Sequence, residues 1–366
     1  MSAVSGSAIE FMAERVRTAA AGGDKLCIRG GGTKDFYGEA AVGRVLDTSV
    51  LGGAAEHEPT ELVVTAPAGL LLADLEAQLA EHGQCLAFEP PQFGPGGTVG
   101  GMVAAGLSGP SRAAAGSVRD HVLGLVLLAG TGELMRFGGR VIKNVAGYDV
   151  SRVVAGSLGI LGVIVEVSLK VLPKAEAEAT LRFDLPPGEA LDRLYAWGMR
   201  PLPLDASAWW NGNLVVRLRG SAAALREATT VLGGDTIDAA EAAPFWRGLR
   251  NHDDPFFVAA HEAVLHQDAT LWRLSLPATA PLLGLAGDEL IEWHGAQRWL
   301  VTALPAASVR SAVVAVGGHA TAFRSADKSA GVFTPLAPPL QAIHERLKLA
   351  FDPQRVFNAG RLYPGL

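Results

Sequence analysis

The sequence predicts an α+β protein of two domains: a glycine-rich first domain, then an antiparallel sheet covered by helices. Three observations carry that expectation. A chain of 366 residues is long for one core. Its glycines crowd into residues 30–32, 94–109 and 156–162, all in the first half. The second half instead runs twice through one order of elements, strand, helix, strand, strand, helix, strand.

At the N-terminus, Ser7 and Glu10 have capping-box spacing around Ile9, Met12 and Val16, the apolar stripe of an amphipathic helix. Short apolar strands follow at Leu26–Ile28, Leu62–Val64, Val122–Leu128, Leu134–Phe137 and Val163–Val171. The last alternates, with Val163, Val165, Val167, Leu169 and Val171 facing one way and Glu166, Ser168 and Lys170 the other, which predicts a half-buried strand. Thr131-Gly132 reads as a hairpin turn. Leu72, Leu75 and Leu79 mark a helix that stops at Gly83. Pro173 and the Ala/Glu stretch after it read as a domain boundary, so residues 1–175 form the first domain and 176–334 the second.

From Leu181 the reading is strand, helix 189–199, strand 206–210, a tight Asn211-Gly212 turn, strand 214–218, helix 221–232 and strand. From Leu271 the order recurs with helix 279–285, strands 289–293 and 298–302, helix 306–314 and strand 319–323. A closing helix on Leu336, Leu340, Ile343 and Leu347 and the tail from Phe351 return, over 335–366, to complete the first domain.

Composition removes several classes of function. Apolar residues at 49% and charged residues at 19% argue against disorder. A net charge of −6 without a basic cluster leaves no footprint for nucleic acid. The uncharged run of 13 residues between Arg152 and Glu166 is too short for a transmembrane segment, and the N-terminus lacks the plan of a signal peptide. A cytoplasmic protein is expected. Cys27 and Cys85 are far apart with no C-x-x-C, so they offer no metal or iron–sulfur ligand set and are expected as buried reduced thiols.

The chemistry concentrates in the glycines. Arg29-Gly30-Gly31-Gly32-Thr33-Lys34 follows a short strand, where bare backbone lets N–H groups converge on an anion while Thr33 and Lys34 add a donor and a charge. A flexible turn would have the same composition, and neither a Walker loop nor G-x-G-x-x-G is present. The stretch from Pro90 to Gly109 is nearly free of charge and bulk, which suits close approach of a ligand. Arg112 beyond it is a candidate for pairing a diphosphate, and Arg119–Asp120 a local ion pair.

In order, R-G-G-G-T-K, P-G-G-T-V-G-G, S-G-P-S-R, G-S-V-R-D-H-V-L-G, V-I-K-N-V-A-G-Y-D-V and G-S-L-G-I-L-G-V-I resemble the FAD domain of p-cresol methylhydroxylase / vanillyl-alcohol oxidase-type flavoproteins. The V-I-K-N-V-A-G-Y-D version with the ending F-D-P-Q-R-V-F-N-A-G-R-L-Y is similar to the family of glycolate oxidase E subunits. The likeness is dense over 26–175 and the last 16 residues. It implies a p-cresol methylhydroxylase-type FAD domain with an antiparallel α+β cap. By the same resemblance Gly30, Gly31, Gly32, Thr33 and Lys34 wrap the FAD diphosphate, and Gly97, Thr98, Val99, Gly100, Gly101, Ser108 and Gly109 line diphosphate and ring. Gly159 to Ile164 meet the adenine and Asn358 returns to the flavin side. No histidine lies in the first glycine loop, where covalent members carry their link, so the FAD is expected to be noncovalent.

Catalysis is where the sequence departs from the family's large catalytic subunits, whose H-x-x-D-G-N and G-E-H-G-I-G-type motifs are not found. Ile291-Glu292-Trp293-His294-Gly295 echoes the second, which makes His294 a candidate base, and Lys143 is a candidate neighbour of the flavin. Arg298 and Arg324 are read as surface or interface ion pairs, with a substrate carboxylate as the alternative. The resemblance implies oxidation of glycolate or another 2-hydroxy acid within a complex that adds a larger FAD catalytic subunit and an iron–sulfur subunit, through which the chain could be membrane-associated. A stand-alone hydroxy-acid oxidoreductase and a non-catalytic FAD-binding subunit remain as alternatives.

Overall fold

A computed structural model describes residues 4–139, 149–266 and 268–366. The chain divides into two compact units: Met1–Leu107, Ser117–Lys174 and Pro335–Leu366 make one, Ser108–Gly116 and Ala175–Thr334 the other.

In the first unit five antiparallel strands run in the order Glu56–Glu58, Val63–Pro67, Val163–Lys170, Val122–Leu128, Leu134–Gly138. Gly132, at φ 80, closes the last hairpin as its sequence predicts. The central strand Val163–Lys170 is not half-buried: Glu166 and Ser168 are 4% and 6% exposed, so both faces are covered. The register also shifts opposite Val126 and Leu127, leaving Val165 unpaired as an extra residue. That bulge turns the strand over. Val163 and Val165 join one core with Met12, Val16 and Leu46, while Val167, Leu169 and Val171 join another with Leu72, Leu75 and Leu79.

Helix Gly6–Gly22 buries Met12, Ala13, Val16 and Ala19, but its capping differs from the sequence reading. Ser5 is the N-cap, without a side-chain cap bond, and Glu10 pairs with Arg17. Helix Leu72–Glu81 buries all three predicted leucines and ends before Gly83 at φ 64. A parallel pair, Leu26–Arg29 with Arg44–Asp47, delivers the first glycine loop. The C-terminal tail lies against the same strand: Leu26 donates to the Val356 carbonyl at 2.8 Å and accepts from Asn358 N–H at 2.9 Å. The preceding helix, Pro338–Phe351, does not use its predicted stripe; Leu340 and Ile343 are exposed, and the buried residues are Lys348 and Phe351.

The second unit is an eight-stranded antiparallel sheet in the order Asp235–Ile237, Ala177–Asp184, Asn213–Gly220, Leu204–Trp210, Asp288–Glu292, Gln297–Thr302, Thr270–Ser275, His319–Arg324. Each half has the same internal order, and the halves join through equivalent strands, with Ala208 opposite Glu292 and Trp209 opposite Ile291. Asn211 and Gly212, at φ 49 and 82, make the tight turn the sequence predicts. The repeat is imperfect. Residues 279–285 form no helix, because Pro281 and Gly284, the latter at φ 63, interrupt so short a run. Helices Ala239–Asn251 and Pro255–His266 stand between the halves.

Residues 108–116 pack with the second unit, although they follow the glycine stretch in sequence. The Ser111 hydroxyl, fully buried, lies 2.9 and 3.0 Å from the two Asp205 carboxylate oxygens. It also accepts hydrogen bonds from Arg217 at 2.7 Å and Arg219 at 3.0 Å. Arg217 is itself ion-paired to Asp205 at 2.5 Å, so the segment is held by a closed buried network.

Candidate functional site

A cleft in the first unit is lined by residues 28–35, Thr98, Gly101, Ala104, Ala105, Leu158, Asn358 and Arg361. Four separate stretches of sequence meet there. Helix Val99–Ala105 turns one face, Gly101, Ala104 and Ala105, to the cleft and the other, Val99, Met102 and Val103, into the core. Thr98 caps it by accepting from Gly101 N–H at 3.2 Å.

The glycines first serve close approach of backbone to backbone. A Cβ at Gly31 would overlap the Gly96 carbonyl, one at Gly30 would lie 2.5 Å from Thr98 Oγ1, and one at Gly100 would lie 2.7 Å from Ala68 Cβ. Gly97 accepts from Leu72 N–H, while Val99 and Gly100 donate to the Leu70 and Ala68 carbonyls. These three hold the cleft's back wall and do not line it. The first loop differs: among the described residues, the N–H groups of Gly31, Gly32 and Thr33 donate to no protein acceptor. Successive free donors beside Arg29, Lys34 and Arg361 fit a diphosphate.

Asn358, 7% exposed and at φ 40, fastens this cleft. Its Oδ1 accepts from Ile28 N–H at 2.7 Å, and its Nδ2 donates to the Leu158 carbonyl at 2.6 Å. Gly159 beside it must be glycine, since φ is 76 and a Cβ would lie 2.7 Å from Asn358 Nδ2. Ile164 sits in the core, 6% exposed. Ser108, Gly109 and Arg112 belong to the second unit and do not line this cleft; Arg112 lies over the Trp293 ring at 4.8 Å, and Trp293 Nε1 donates to the Gly109 carbonyl at 3.0 Å. Arg119 and Asp120 form no ion pair with each other: Asp120 accepts from Ser117 N–H and hydroxyl, both at 2.8 Å, in a capping box. Lys143 lies outside the described residues.

The second unit holds a cluster of titratable groups, among them Glu292 and Asp254, whose burial sequence patterning did not reveal. Glu292, 3% exposed, accepts from Trp299 Nε1 at 2.6 Å and Gln297 Nε2 at 3.1 Å. Burial pushes its pKa up to about 7 despite those bonds. Asp254 is raised to about 6 by burial, and buried His252, stacked on Phe257 at 3.6 Å, is lowered. Arg273 donates to Gln297 Oε1 at 2.7 Å and lies 5.3 Å from the Trp293 ring. His294 occupies left-handed backbone at φ 56, its N–H donates to Ser207 at 2.9 Å, and its Nδ1 has no hydrogen-bond partner among the described residues. Burial lowers its pKa, so the ring is a neutral base. Arg298 is wholly buried and donates to the Pro281 and Ala280 carbonyls at 2.8 and 2.6 Å, so it is no surface ion pair. Arg324 is brought down to about 10 by burial. Neither cysteine is in a disulfide, and both are half-buried where buried thiols were expected. Among the described residues no group of three or more His, Cys, Asp or Glu is placed to hold a metal, and no helix is long and apolar enough to cross a membrane.

Residues 5–138 match the family described as FAD binding domain, the region that supplies most of the cleft. Fold and cleft thus define an FAD-dependent oxidoreductase with a p-cresol methylhydroxylase-type FAD-binding domain. The chain is 42% identical over 357 residues to the glycolate oxidase subunit GlcE of Escherichia coli (strain K12), covering 98% of each. It belongs to that subunit's family. Likeness to the glycolate oxidase subunit GlcD of Bacillus subtilis (strain 168) is 32% over 160 residues, 43% of this chain and 32% of that one. Among solved structures, alkyldihydroxyacetonephosphate synthase shares the fold, with a TM-score of 0.65 at 14% identity over 95% of this chain and 74% of the other.

Proposed function

We propose that this chain is the FAD-carrying subunit of a multi-subunit glycolate oxidase. In this reading glycolate is oxidised to glyoxylate and the electrons leave through partner chains, among them a larger flavin subunit and an iron–sulfur subunit. The observation that carries the reading is full-length likeness to a glycolate oxidase subunit together with a diphosphate cleft whose glycines and free donors are intact. Bound FAD would supply a two-electron acceptor for hydride. Gly31, Gly32, Thr33 and Arg361 would hold its diphosphate, and Asn358 would keep the loops around it in register. The FAD is held noncovalently, and the second unit is the cap that meets substrate or partner. The chain works in the cytoplasm and reaches a membrane only through its partners.

His294 favours a second reading, in which the base lives on this chain. A half-buried, neutral imidazole whose enclosed Nδ1 has no partner among the described residues is equipped to take the hydroxyl proton while hydride leaves carbon. Two rates decide between the readings: glycolate-dependent dye reduction by the chain alone, and the same for His294→Ala in the reconstituted complex. The subunit reading expects negligible turnover alone and an unharmed complex. Fast turnover alone, lost on replacing His294, favours the second.

A further inference from the structure

A 2-hydroxy acid carries a carboxylate, and Arg298, one of two arginines the sequence offered for it, spends its fork on the Pro281 and Ala280 carbonyls. Arg273, which the sequence reading passed over, is placed differently. It stands within strand Thr270–Ser275 opposite Trp299, so its side chain shares a sheet face with Trp299 and with Gln297 two residues along. Glu292 lies opposite Gln297 on the next strand.

These side chains form a relay that ends at Arg273. Trp299 Nε1 donates to Glu292 Oε2 at 2.6 Å, and Gln297 Nε2 donates to the same oxygen at 3.1 Å. That bond orients the Gln297 amide, whose Oε1 accepts from Arg273 Nε at 2.7 Å. Trp299, Gln297 and Glu292 are each 2–3% exposed, so a chain of buried polar groups is given over to holding one nitrogen of an arginine. The Trp293 ring lies 5.3 Å from the Arg273 guanidinium and 4.8 Å from that of Arg112, so two cations converge on one indole.

The Arg273 fork is thus held by Nε and by a ring, while its two terminal nitrogens donate to no group among the described residues. No carboxylate among those residues lies within ion-pair distance of it, Glu292 being turned to Gln297 and Trp299. Arg273 is only half-buried, so the open end of the fork can meet a ligand. Two N–H groups on a fixed plane match the two oxygens of a carboxylate.

We propose that Arg273 receives the carboxylate of the 2-hydroxy acid on its two terminal nitrogens. The proposal rests on the glycolate oxidase reading and adds to it the contact that selects an acid. The test titrates the full-length, FAD-loaded chain by calorimetry with glycolate and with glycolamide, its neutral isostere, for wild type, Arg273→Gln and Arg273→Lys. Wild type is expected to bind glycolate at least about tenfold tighter than glycolamide. Arg273→Gln should erase most of that preference while glycolamide affinity and flavin content per chain stay within about twofold of wild type. Arg273→Lys, which keeps the charge but not the fork, should recover part of it. A glycolate-to-glycolamide ratio unchanged in Arg273→Gln overturns the proposal. So does a wild-type chain that binds the two equally, or binds neither while the reconstituted complex oxidises glycolate; that result needs no variant to fold and would put the contact on a partner. A wild-type complex that oxidises no glycolate would instead sink the glycolate oxidase reading, and the proposal with it.

Discussion

Lys348 and Asp352 form an ion pair 2.7 Å long with neither side chain exposed to solvent. All three ammonium protons are used. Lys348 Nζ also donates to the Ile160 and Phe357 carbonyls at 2.6 and 2.8 Å, and Asp352 accepts from Val356 and Phe357 N–H at 2.9 and 2.8 Å. The pair therefore ties the last helix to the 156–162 turn and starts the tail that carries Asn358 and Arg361 to the cleft.

Removing one partner strands the other charge in the core. Lys348→Met is expected to cost about 3–5 kcal/mol of stability, and far more than exposed Arg17→Met. Urea denaturation of the purified chain measures both. A loss below about 1 kcal/mol for Lys348→Met would show that the pair is not closed as described.

Gly31 and Gly101 both border the cleft but differ in what a side chain would meet. At Gly31 the obstacle is the rigid Gly96 carbonyl, while at Gly101 it is Thr98 Oγ1 at 3.1 Å, which can yield. Gly31→Val should therefore purify with under about a tenth of the wild-type FAD, while Gly101→Ala keeps most of it. Flavin absorbance per chain reads both, and equal retention would mean the loop contact does not shape the site.

Glu292 makes a pH prediction. Burial raises its pKa from 4.5 to about 7. Below 4.5 folded and unfolded states both hold the proton, and the group contributes nothing. As pH rises from 4.5 to 7 the unfolded chain gives up a proton that the folded chain keeps, so stability is progressively lost, to a limit of about 3 kcal/mol above 7. Glu292→Gln lacks that penalty. Its stability relative to wild type should climb between pH 5 and 8 in denaturant titrations; a difference constant with pH would show that Glu292 is ionised throughout.

Much of this was legible in the sequence, and the failures have physical causes. Local signals held: Asn211-Gly212 and Gly132 mark turns because only special residues adopt their backbone, and Leu72, Leu75 and Leu79 share one helical face. Strand 163–171 misled because a bulge at Val165 exchanges its faces, and periodicity cannot see a register shift made with a neighbour 37 or more residues away in sequence. Arg361 was in plain view within the N-A-G-R-L-Y ending, but the carbonyls that hold it at the cleft lie more than 300 residues earlier. Glu292 and Asp254 carried no pattern, since burial raises their pKa values and burial comes from the packed sheet.

Whether this chain carries FAD in the glycine-lined cleft is read from the visible spectrum of the purified protein. Flavin absorption bands are expected at about one FAD per chain, with all the colour passing to the supernatant after acid or heat precipitation. A colourless chain that takes up no added FAD would contradict the claim, and colour that stays with the precipitate would contradict its noncovalent part.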